Sequence, residues 1–64
     1  MFHVEDRVEI ISDGRIGTIK NIESHADAVN IHGPVVVVDK CLVRFDHDIT
    51  KEEGFKPEQL RLVE

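Results

Sequence analysis

Four consecutive valines, Val35 to Val38, follow directly on Gly33-Pro34 and narrow what this chain can become more than any other feature. Each valine is branched at Cβ, which stiffens χ1 and suits the pleated surface of a strand better than a helix. The Gly-Pro pair interrupts any regular element ahead of them. Alternate side chains of an extended segment point to opposite faces, so two of the four must leave whichever face the core occupies. The chain has 64 residues, and a chain that short forms one domain, burying only about 60% of the surface its unfolded form exposes. No second layer is available to cover the outward pair. The run either completes the core as part of a hairpin or offers apolar surface to a neighbouring copy, to a partner's sheet or to an open end of the fold.

Other segments carry the same period of two. Asp6 to Ser12 sets Val8 and Ile10 against Arg7, Glu9 and Ile11, and Asp13-Gly14 then supplies a turn that tolerates positive φ. Ile16, Ile19 and Ile22 are three apart, as on a helix face. Gly14, Gly17 and Thr18 are poor helix formers and no capping box opens the segment, so Arg15 to Glu23 reads as a strand with a bulge near Gly17. Ser24 to Gly33 is small, polar and weakly patterned, and 24–40 as a whole reads as an irregular excursion. Cys41, Val43 and Phe45 alternate with Leu42, Arg44 and Asp46. Asp39-Lys40, just ahead of them, fits either a tight turn or a bulge in one long strand. Asp46 to Gly54 reads as an acidic connection, Pro57 to Leu60 as one helical or 3₁₀ turn, and Arg61 to Val63 as a short closing strand.

Charge limits the partners. Eight Lys plus Arg stand against thirteen Asp plus Glu, a net charge of −5, and the excess of acid grows toward the C-terminus. Phosphate backbones and anionic membrane surfaces recruit surplus cations, so nucleic acid and membrane are both disfavoured. A single Cys forms no internal disulfide, no apolar run approaches the length of a spanning helix, and Met1 to Asp6 lacks the features of a signal peptide. The expected location is cytoplasmic.

The segments EDRVEI, GRIGTIKNI, CLVRFD and FKPEQLRLV, taken in that order, resemble the small SH3-like β-barrels. That group takes in the KOW-type domains of ribosomal and transcription proteins and the small SH3-like accessory subunit of photosystem I. The resemblance covers most of the chain and leaves out Ser24 to Lys40. It implies an all-β fold, a small barrel of about five strands with one 3₁₀ turn before the last, spanning 1–64 as one domain. Proline-peptide capture by SH3 domains needs an aromatic-lined groove, and nucleic-acid-binding barrels stack bases on aromatics. Neither use suits a chain with three Phe and no Trp or Tyr.

Chemistry-bearing groups are sparse. His3, His25, His32, His47 and Cys41, with Asp46 and Asp48 beside His47, are possible metal ligands, but they lack the close pairs of structural zinc sites. No metal and no cofactor is expected. Cys41 shares the face of Val43 and Phe45 and reads as a core residue rather than a nucleophile. Gly14 and Gly17 lack the Lys-Ser/Thr pair and following helix of a phosphate loop. The expectation is a non-catalytic protein-interaction module, an accessory subunit or small regulator, docking through the 24–41 excursion. Val35 and Val37 would meet the partner, Arg15 would touch it from a turn tip, and Asp46, Asp48, Glu52 and Glu53 would steer a basic surface toward it. A homodimer through 35–45 is a further option. The alternative is a KOW-like domain with Arg7, Arg15, Lys20 and Arg44 as phosphate contacts on RNA or in a ribosomal or transcription complex.

Overall fold

A computed structural model describes residues 2–27 and 33–63. Strand β1 spans Arg7–Ile10, β2 Ile16–Asp27, β3 Val35–Phe45, β4 Asp48–Phe55 and β5 Leu60–Leu62, with a 3₁₀ turn at Pro57–Gln59 ahead of β5. Every ladder is antiparallel, and the five strands form one sheet in the order β4-β3-β2-β1-β5. The all-β expectation of five strands and a late 3₁₀ turn matches this architecture. β4 and β5 lie at opposite edges and do not pair, so the sheet is barrel-like without being closed.

The local chemistry of each connection is visible. The Ile10 carbonyl accepts N–H bonds from Asp13 at 3.3 Å and Gly14 at 2.7 Å, and Gly14 takes the positive φ of 79° that closes this turn. Before the last strand, Pro57 opens the 3₁₀ turn with its φ already suited, and the Gln59 side chain accepts from the Lys56 N–H at 2.9 Å.

Alternation builds the β1 and β3 parts of the core as the sequence predicts. Val8 and Ile10 from β1, Ile19 from β2, Cys41, Val43 and Phe45 from β3 and Leu60 from β5 are buried, with Phe2, Ile22, Val38 and Phe55 packed against them. Burying each full side chain of this kind contributes about 1.5–3 kcal/mol. Gly17 faces the same interior between Val8 and Phe45 in unbroken register, so the bulge expected there is absent. Its role is close approach: a Cβ at Gly17 would lie 2.6 Å from the Arg44 carbonyl oxygen and 2.7 Å from Val43 Cγ1. The register shift sits between Ile19 and Asn21, which makes Lys20 the extra residue.

Three further expectations are corrected or resolved. Ser24 to Asp27 continues β2, and Val35 to Lys40 is the first half of β3, so in its described parts the 24–40 excursion is a regular two-stranded arm. Residues 28–32 lie outside the described residues. The Asp39-Lys40 alternative resolves as a bulge, since Glu23 opposes Lys40 and Ser24 opposes Val38, leaving Asp39 as the extra residue in one long strand. The acidic connection is strand β4 after a turn at Asp46-His47; residues 49–52 of β4 face the single residue Arg44, between the pairs Val43↔Glu53 and Phe45↔Asp48. Backbone groups paired to β3 hold this polar segment extended despite its composition. The arm gives the molecule extents of 44 × 21 × 18 Å and a radius of gyration of 13.1 Å, against about 11 Å for a compact chain of this length.

Candidate interaction surfaces

The arm begins where neighbouring strands stop. β1 pairs with β2 at residues 16–18, and β4 pairs with β3 only from Cys41 onward, so 23–27 and 35–40 pair with each other and with no other described strand. The bulge at Asp39 settles which valines face which way. Counted back from buried Cys41 by strict alternation, Val35 and Val37 would share the core face. With one residue inserted, that face instead carries Val38 and Val36, opposite Ser24 and Ala26, as a continuation of Ile22 and Cys41. Val38 accordingly packs against the core, while Val36 projects beyond it and is 68% exposed. Val35 and Val37, at 45% and 38%, lie on the outer face with His25 and Asp27. His25 Nδ1 and Asp39 Oδ2 are 2.9 Å apart, tying the bulge to β2 on this outer face.

A second surface lies at the far end of the body. Arg15, Phe45, His47, Asp48, Lys51, Glu52 and Glu53 line an open depression of about 200 Å³. The Arg15 guanidinium carbon sits 4.4 Å from the centroid of the Phe45 ring, within reach of a cation–π contact. His47 stacks on the same ring at 5.4 Å, and Phe55 meets it edge-on at 5.8 Å. Four of the sequence-predicted site residues, Arg15, Asp48, Glu52 and Glu53, therefore converge here, whereas Val35 and Val37 belong to the arm.

The carboxylates expected to steer a partner are already occupied. Asp46 takes a two-pronged ion pair from Arg7 with both bonds at 2.7 Å, Glu52 accepts from Arg44 at 2.9 Å, and Glu53 lies 3.5 Å from Arg15. Asp48 accepts from both the N–H and the hydroxyl of Thr50. Hydrogen bonding to Arg7 holds the Asp46 carboxyl below the usual range, Thr50 does the same for Asp48, and the Arg15 N–H does so for Asp13. The Arg7 guanidinium is correspondingly held more firmly charged. The four cations of the RNA alternative fare no better. Besides Arg7 and Arg44, Arg15 is held by Asp13 at 2.8 Å and Lys20 by Glu5 at 2.8 Å.

Among the described residues no three His, Cys, Asp or Glu side chains come together as a metal site, and no helix is long and apolar enough to cross a membrane. His32 lies outside the described residues. Cys41 is fully buried in the core, and burial raises its thiol pKa, the opposite of what a nucleophile needs. Comparison with family models, curated proteins and solved structures gives no match. The residues that sequence reasoning missed are Val36, the most exposed of the four valines, and Phe45, whose buried ring supports Arg15 and His47. An uninterrupted run of like residues carries no parity of its own. Only the bulge supplies it.

Proposed function

We propose that this chain is a non-catalytic protein-interaction module of SH3-like architecture, an accessory subunit or small regulator whose contact surface is the arm formed by the distal halves of β2 and β3. The observation that carries this reading is the exposed valine surface of Val35, Val36 and Val37 on a part of the sheet that no other described strand covers. Apolar surface held out in this way is worth more buried against a partner than left in water. The strand order and the 3₁₀ turn before β5 support the SH3-like assignment.

Glu52 and Glu53 in the depression are paired with Arg44 and Arg15, and the four cations that RNA binding would use are all paired with carboxylates. This pairing favours the protein-partner reading over the RNA one. The net charge of −5 survives the pairing and favours a basic partner surface at long range. A photo-crosslinker placed at Val36 tests the reading in the native source, with Val35→Thr/Val37→Thr as the comparison. The expected result is one dominant protein adduct that the double variant loses while its unfolding transition stays close to that of the parent. An adduct retained undiminished by the double variant would remove the arm from the account.

A further inference from the structure

The edges of this sheet are not equally protected. Exposed edges invite pairing with another chain, and proteins guard them with shortness, charge, proline or bulges. β5 is only three residues long; β4 is charged and irregular across 49–52; the arm's β2 edge carries Glu23, His25 and Asp27. The β3 edge of the arm carries no charge, proline or bulge over Val35–Val38. It is regular and uncharged, and it has no ladder partner on that side among the described residues. Its limits are sharp: Pro34 lacks an N–H at one end, and the Asp39 bulge breaks the ladder at the other.

We infer that Val35–Val38 is a strand-addition site that takes a short extended segment of a partner protein, with apolar residues on one face and basic residues on the other. This rests on the protein-interaction reading and names the partner's chemistry. One face of the added strand would extend the row of Val36 and Val38, which continues the core face and exposes Val36 most. The other face would lie beside Val35 and Val37, on the side of the arm where Glu23 stands 3.8 Å from Lys40, Asp39 is bonded to His25, and Asp27 adds a third carboxylate. Apolar side chains suit the first face and basic ones the second. A second copy of this acidic chain would bring the same three carboxylates to that face, so charge complementarity favours a basic segment over self-pairing. A four-residue window places the contact in the small, transient class of interfaces.

The test uses the full chain, isotopically labelled, with a synthetic peptide of alternating Lys and Val and a control of alternating Glu and Val. The Lys/Val peptide is expected to shift the amide resonances of Val35 to Val38, slow their hydrogen exchange and lose affinity several-fold as salt rises. Val36→Lys, at an exposed position, should abolish the shifts, and Asp27→Asn should weaken binding while leaving the valine window intact. The inference is overturned if the Lys/Val peptide does not bind, if the Glu/Val peptide binds equally, or if the shifts fall on 20–27 instead. Concentration-dependent doubling of mass with shifts at 35–38 and no peptide present would assign the edge to a second copy and overturn it as well. A crosslinked partner at Val36 with no Lys/Val binding would refute this inference alone and leave the interaction reading standing.

Discussion

The same two strands build both a body and an arm, and the two halves differ in everything except secondary structure. In the body, Ile19 of β2 and Val43 of β3 pair directly and both are fully buried, under cover of β1 and β5. In the arm, Ala26 and Val36 pair in the same antiparallel manner, yet Val36 is 68% exposed. Strand geometry therefore does not distinguish structural from available valines. What distinguishes them is whether a further strand lies over or beside the pair.

The sharpest way to break this comparison is to remove apolar volume from each half. Ile19→Ala should cost about 2–5 kcal/mol, much of the few kcal/mol that hold a chain of this size, and chemical denaturation should show a large fall in midpoint. A small effect there would mean that the body is not the stabilising half. Gly17→Ala comes next. Its new Cβ would press on the Arg44 carbonyl and on Val43, which must separate β2 from β3, and the expected loss is about 1–3 kcal/mol by thermal or denaturant unfolding.

Acid should act on the body as well. Asp13, Asp46 and Asp48 are all held below the ordinary value of 3.8 in the folded state. Near that value the folded chain binds fewer protons than the unfolded one, so stability rises with pH there. The contribution is complete above the ordinary value and is lost as pH falls through the lowered folded values. Unfolding midpoints followed from neutral pH into this range should drop, and Asp46→Asn should flatten part of the drop by removing one of the three groups. A midpoint independent of acid would show that these ion pairs and turns contribute nothing. The smallest effect is expected from Val36→Thr in the arm, within about 0.5 kcal/mol, and it sharpens the comparison by testing whether an exposed valine can be spared for folding.

Much of the body was legible beforehand because its signals are local. Val8 with Ile10, and Cys41 with Val43 and Phe45, show their period of two along the chain, and these five join Ile19 and Leu60 in the core. Asp13-Gly14 and Pro57 mark their turns by backbone chemistry. β4 was not legible: its composition is that of a solvated loop, and it is extended because β3 offers it a ladder. The depression was half legible, since Arg15, Asp48, Glu52 and Glu53 were singled out as separate partner contacts while the Phe45 ring that joins Arg15 and His47 was assigned to the core alone.

By itself, the sequence determined that this chain is built largely of strands, that it turns at Asp13-Gly14 and at Pro57, and that Val8, Ile10, Cys41, Val43 and Phe45 lie inside. Those properties follow from φ/ψ preferences and from a period of two along each segment. Only the tertiary structure decided that 23–27 and 35–40 pair as an arm, that Arg7, Arg44 and Arg15 pair with Asp46, Glu52 and Glu53, and that Val36 rather than Val35 continues the core face. Each of these depends on what lies opposite a residue in space. A single extra residue at Asp39 reverses the facing of every side chain beyond it, and it is fixed by the partner strand rather than by its own neighbours.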